Sequence, residues 1–153
     1  MRRAFFLVVL LSVIDLGCKP SWIVGKSAEC RDFYRLPIEQ QQVSFETFPP
    51  DKQIRIYQCG MDREPPDIAR AYDIADGGEK VVPYLVQSLK AEQNDYAKDN
   101  IVYVFEIMSE RDQLRGRHEI IDLIRNIVSN MKSGARKELS KKRLEKIEKN
   151  SKQ

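Results

Sequence analysis

The sequence predicts an all-α fold, on three observations. Between Ile54 and Met131 the apolar residues recur three and four positions apart, the period of a helix buried on one face. The runs that carry this period outlast the usual strand of roughly 5–6 residues. Proline opens them and glycine closes them, at Pro49-Pro50, Pro66 and Pro83 on one side and Gly60, Gly77-Gly78 and Gly134 on the other.

Residues 1–17 are predicted to be a signal peptide. Met1-Arg2-Arg3, the apolar run Ala4 to Ile14 and a small residue before Cys18 have the layout of an export signal. The run of eleven residues is far short of the roughly 20 that span a bilayer. Extending it to Val24 would bury Asp15 and Lys19 in hydrocarbon, at about 2.5–3.5 kcal/mol each. On Gly17-Cys18 the segment resembles a bacterial lipoprotein signal. That resemblance implies a lipid on Cys18 and an exported chain anchored at the cell envelope, facing the periplasm. Asp15 stands where such signals usually carry an apolar residue, so simple secretion to the periplasm and a retained anchor both stay open.

Residues 18–44 mix Pro20, Gly25 and Pro37 with scattered aromatics and read as a tether followed by an irregular N-terminal segment. Phe33, Tyr34, Phe45, Phe48 and Tyr57 are expected to pin that segment onto the helices. Residues 45–134 form the helical domain. Pro50 and Asp51 suit the first turn of its first helix, which buries Ile54 and Tyr57 and stops at Gly60. Pro66-Asp67 starts a second helix with Ile68, Ala71, Tyr72 and Ala75 at helical spacing. A third runs from Glu79 to Ala91 with Val81, Val82, Leu85, Val86 and Leu89 inward, and Pro83 sits where its missing N–H costs little. A fourth, Tyr96 to Ser109, buries Ile101, Val102, Val104, Phe105 and Met108. The fifth has the widest stripe, Ile120, Ile121, Ile124, Ile127, Val128 and Met131, and Ser133-Gly134 ends it.

The remaining residues 135–153 carry eight basic side chains against three glutamates. Leu139, Leu144 and Ile147 are too few for a broad buried face, so a basic tail, helical or disordered and solvated, is expected. Tethered near a membrane, Arg136, Lys137, Lys141, Lys142, Arg143 and Lys146 are candidates for contact with anionic headgroups. The plainer reading is a helix that only keeps the protein soluble. The rest of the chain has twenty acidic residues to eighteen basic, and nucleic acid is not an expected partner.

Val81-Val82-Pro83-Tyr84-Leu85 with Leu89 resembles the inner helix of a HEAT-type repeat, which pairs antiparallel helices and stacks the pairs. The resemblance covers roughly residues 65–132. It implies a compact bundle of antiparallel hairpins, with the second helix paired to the third and the fourth to the fifth. It also implies binding along a surface, and it supplies no catalytic residue.

Catalytic chemistry is not expected. Cys30 and Cys59 can pair in an oxidising compartment, leaving Cys18 for lipid, or stay apart with one packed as a small hydrophobe. His118 is the single histidine and lies in a polar turn, where a solvated side chain is the plain reading against a general base acting on Cys59. Four zinc ligands at the usual spacing cannot be assembled, so neither metal nor cofactor is expected. Asp62, Glu64 and Asp67 around Pro65-Pro66 read as caps and loop solvation, against a cation site or an acid/base pair. Gly77-Gly78 lacks the context of a phosphate loop. The expected function is a non-enzymatic, envelope-associated lipoprotein that binds an unidentified protein partner. The alternative is an immunity or inhibitor protein against a toxin or hydrolase of the same compartment.

Overall fold

Proline and glycine set the helix limits, and the apolar period sets what each helix buries. The computed structural model describes residues 27–152, so the expected signal segment 1–17, Cys18 and the first part of the tether lie outside the described residues. Among the described residues the chain forms eight α-helices and no strand. They are α1 (Ala28–Tyr34), α2 (Ile38–Thr47), α3 (Pro50–Met61), α4 (Ala69–Asp76), α5 (Val82–Ala91), α6 (Asp95–Glu110), α7 (His118–Ser129) and α8 (Gly134–Asn150). A 3₁₀ turn, Gly78–Lys80, leads into α5. Gly78 has φ +56°, the left-handed backbone that lets the chain turn out of α4 without a Cβ penalty.

Three antiparallel hairpins stack side by side: α3 with α4, α5 with α6 and α7 with α8. Two layers result. In one, α4, α6 and α8 run parallel. Tyr72 on α4 meets Tyr103 on α6, and Asp76 meets Arg111 just beyond α6. On α6 and α8, Tyr96 meets Arg136, Tyr103 meets Arg143 and Ser109 meets Asn150. The other layer holds α3, α5 and α7. The C-terminal residues of α3 and α5 lie together, with Gln58 beside Ser88 and Ala91. The all-α hairpin architecture is the one expected from the sequence, but the pairing is offset by one helix. The packed neighbours in sequence are α3 and α4, α5 and α6, and α7 and α8, while α4 and α5, and α6 and α7, meet only sparsely.

This offset changes the reading of residues 135–153. They are not a solvated tail. α8 completes the third hairpin and makes with α6 the most extensive helix contact of the described residues. Ile147 is fully buried and Leu144 nearly so, while Leu139 stays exposed. An array of stacked helix pairs needs about three of them to bury its own core, and α8 supplies the last helix of the third.

The N-terminal boundary also moves. Residues 28–34 and 38–47 are helical, where an irregular segment was expected as far as residue 44. Ser27 caps α1 by accepting the Cys30 N–H at 3.2 Å, and Pro37 precedes α2. On α2, Ile38 and Val43 face solvent, 77% and 64% exposed, while Phe45 is buried together with Gln41, which donates to the Leu36 carbonyl at 2.7 Å. The five aromatics do pin this region. Phe33 packs edge-on against Tyr34 and beside Phe45 and Phe48, and Tyr57 is fully buried beneath. Gly60 lets Tyr34 lie directly on α3, because a Cβ there would collide with the Tyr34 hydroxyl. That hydroxyl sits 3.1 Å from Asp67 and 3.3 Å from the Ile56 carbonyl. Burial, then the Asp67 charge, raises its pKa above the ordinary tyrosine range. Burial is the leading cause of the same upward shift at Tyr57. Ile68 and Tyr72, expected on the inner side of α4, are exposed; Ala71, Ile74 and Ala75 form its buried side.

If α8 is part of the core, its two apolar positions behave oppositely. Ile147→Asp buries a charge and lowers unfolding stability by at least about 3 kcal/mol. Leu139→Asp changes it by less than about 0.5 kcal/mol. Urea denaturation followed by circular dichroism checks both.

Candidate functional site

The basic residues of α8 divide by direction. Arg136, Arg143 and Lys146 turn toward α6, where two carboxylates are almost fully buried: Asp99 is 1% exposed and Glu106 3%. Asp99 accepts from the Ser140 hydroxyl at 2.8 Å and from Arg143 Nε at 3.1 Å, with Arg136 at 3.5 Å. Glu106 accepts from Arg143 Nη1 at 2.6 Å and from Lys146 Nζ at 2.5 Å. The bond to Glu106 is the first cause that raises the Lys146 pKa. The guanidinium of Arg136 lies 4.1 Å from the Tyr96 ring and that of Arg143 4.3 Å from the Tyr103 ring. Burial first, then the Tyr72 hydroxyl at 3.3 Å, pushes the Tyr103 pKa up to about 12. Lys137 donates to the Ser129 carbonyl at 2.5 Å and Lys141 pairs with Glu138 at 2.7 Å. The outermost stripe of α8 is Glu138, Lys142, Glu145 and Lys149, all exposed and alternating in sign. The cations that marked this segment as a headgroup contact are therefore largely turned inward or matched.

The edge of the stack that carries the three hairpin turns is built differently. Adjacent residues of the middle turn reach in opposite directions. The Asp95 carboxylate accepts the Lys132 and Ser133 N–H groups at 2.6 and 2.7 Å, fixing the third turn. The Tyr96 hydroxyl donates to the Met61 carbonyl at 2.6 Å, fixing the first. Gln58 adds a bond to the Ala97 carbonyl at 2.9 Å. Glu92 accepts the Gln93 and Asn94 N–H groups at 2.8 Å each, and Asn94 caps α6 by accepting the Tyr96 N–H at 2.8 Å. The Ser133 N–H is the first cause that holds Asp95 below the usual carboxylate range, and the Lys132 N–H and Lys98 act in the same sense against partial burial.

Beside these turns lies an open cleft of about 540 Å³ lined by Asn94, Lys98, Asn130, Lys132 and Arg136 among others. It runs into a depression of about 280 Å³ that shares Gln93, Lys98 and Asn130 and adds Leu89, Leu123 and Ile127. The depression exists because α5 and α7 barely meet, while their partners α6 and α8 are in close contact. Together they make one groove whose lining carries Lys90, Lys98, Lys132 and Arg136 against Glu92 and Asp95, with Leu123 and Ile127 half-buried in one wall. Neither Lys98, Asn130 nor Lys132 stands out in the sequence. The turn motif Asn94-Asp95 before a helical run was the available signal, and it marks the cap but not what the cap faces.

The residues considered for chemistry lie apart. Cys30 on α1 and Cys59 on α3 form a disulfide with Cα atoms 6.3 Å apart, so the Cys59 sulfur is not a free thiolate. His118 is exposed at the start of α7, near Arg125 and Glu148 and at the far end of the hairpin from the turns. Asp67 is engaged by Tyr34 and lies 3.5 Å from Arg70. Arg70 is itself buried and bonded to Asp73 and Gln42. No group of three His, Cys, Asp or Glu side chains able to hold a metal comes together among the described residues. None of the described helices is long and apolar enough to cross a membrane. Comparison with protein-family models, with curated proteins and with solved structures finds no match.

The Asp95 bridge makes a pH-dependent prediction. A carboxylate with a depressed folded pKa contributes stability that is present above the unfolded value of about 3.9 and is lost as pH falls through the folded one. At neutral pH, Asp95→Ala costs about 1 kcal/mol, the usual size of a lost cap. Parent and variant converge in stability as the pH drops below about 3.9. Thermal melts from pH 7 downward measure the gap; a gap that stays constant contradicts the bridge.

Proposed function

We propose that this chain is a non-enzymatic interaction module of the bacterial cell envelope, held at the membrane by a lipid on Cys18 and presenting its helical stack to a protein partner. The observation that carries the reading is the groove at the turn edge. Its walls are tied together by Asp95 before any partner arrives, and preorganisation of that kind lowers the ordering cost of binding. Its size suits a side chain or a short segment of polypeptide. The Cys30–Cys59 disulfide supports export, since such bonds persist in oxidising compartments. The export signal layout around Gly17-Cys18 supports the anchor.

Replacing Cys18 with Ser tests the anchor. The parent fractionates with membranes, and the Cys18→Ser variant moves to the soluble periplasmic fraction and migrates differently on a gel. Unchanged partitioning and an unchanged mature size contradict it. Detergent extraction of the cross-linked parent, followed by mass spectrometry, tests the partner: a stoichiometric envelope protein is expected.

A further inference from the structure

Two carboxylates line the groove between the second and third hairpins, and both face backbone. Glu92 is bonded to the Gln93 and Asn94 N–H groups, and Asp95 to those of Lys132 and Ser133. Two of the cations along the same walls are matched and two are not: Arg136 lies 3.5 Å from the buried Asp99. Lys98 lies 3.5 Å from Asp95, but Lys90 and Lys132 have no carboxylate partner among the described residues, and both ammonium groups stand exposed at the groove. Arg136 is aligned by the Tyr96 ring on one side of the cleft. The floor toward α7 offers Leu123 and Ile127, both only partly buried. An occupant that brings negative charge meets Lys90 and Lys132, and an apolar side chain beside that charge can rest on Leu123 and Ile127.

We propose that the groove between α5 and α7 binds an acidic segment of the partner protein, with its carboxylates near Lys90 and Lys132 and an apolar residue on Leu123 and Ile127. Asn94 Nδ2 and Asn130 Oδ1, the ends of those side-chain amides not bonded to Tyr96 and Asn126, lie along the walls, where they can bond the segment's peptide groups. A membrane is a poorer occupant. The groove is recessed between helices, and the outer stripe of α8 alternates Glu138, Lys142, Glu145 and Lys149, so a flat anionic surface finds no patch of one sign there. This inference rests on the interaction reading above and names the partner's chemistry.

The test uses the purified full chain and a short fluorescein-labelled peptide alternating Glu and Leu, read by anisotropy. A Lys/Leu peptide of the same length and phosphatidylglycerol vesicles serve as the competing occupants. The variant is Lys90→Glu with Lys132→Glu, two exposed positions that leave the core intact, and its melting point is measured alongside. Expected is binding of the Glu/Leu peptide that weakens with salt and falls about tenfold or more in the double variant, since two attractions become repulsions. Equal binding by parent and variant overturns the proposal. So does equal binding of the Lys/Leu peptide, or binding of vesicles without binding of peptide. Recovery of the cross-linked envelope partner separates the two levels. A partner held equally by parent and double variant removes the groove and leaves the interaction module standing. No partner with either protein counts against the module itself.

Discussion

Two buried carboxylates, Asp99 and Glu106, decide where the last helix of this protein goes. An ionised group out of water needs its counter-charges, and every one of them comes from α8 or its flank. Asp99 and Glu106 are seven residues apart on α6, and so are Arg136 and Arg143 on α8, which puts each set along one helix face. Tyr96 and Tyr103 repeat the same interval and receive the two guanidiniums. A slip of one helical turn would strand a buried carboxylate, at a cost of about 3–5 kcal/mol. The ion pairs thus fix the register. The favourable burial comes from Leu144 and Ile147, at about 1.5–3 kcal/mol for each fully buried side chain.

That constraint shapes the rest of the stack. Drawing α8 tightly onto α6 closes one layer, and α7, tied to α8 through Arg125 and Glu148 at 2.6 Å, is carried with it. The other layer is left open between α5 and α7. The groove is the geometric remainder of a close α6–α8 contact, and the hydrogen bonds of Asp95 keep its two turns in place. At the opposite end, α1 and α2 close the first hairpin through Phe33, Phe45 and the disulfide to Cys59. The first end of the stack is thus covered by α1 and α2, and the other presents the polar outer stripe of α8.

Much of this was legible from residue spacing. α3, α5, α6 and α7 lie within a few residues of where the apolar period and the Pro and Gly punctuation put them, and Ile101, Val102, Phe105, Ile124 and Val128 are buried as expected. The period fails where burial is not apolar. α8 has only two buried hydrophobes and attaches through Ser140, Arg143 and Lys146, so a test of greasiness reads it as solvated. α2 hides Gln41 beside Phe45 and exposes Ile38 and Val43, so only one of its apolar residues marks the buried face. The candidate groove was less visible still. Its cations come from three separate segments, and what sets Lys132 apart from the other lysines is that the nearby carboxylates bond to backbone, a fact of geometry and not of composition.

Native-state hydrogen exchange on the full chain bears most directly on the docking of α8 by Asp99 and Glu106. A helix that belongs to the core opens only with the core. The amides of α8 from Ser140 to Ile147 should therefore exchange as slowly as those of α6 from Asp99 to Glu106, and both sets should speed up together as denaturant is added. Rapid exchange throughout α8 while α6 stays protected would mean that the helix is a solvated appendage and that the buried carboxylates do not hold it.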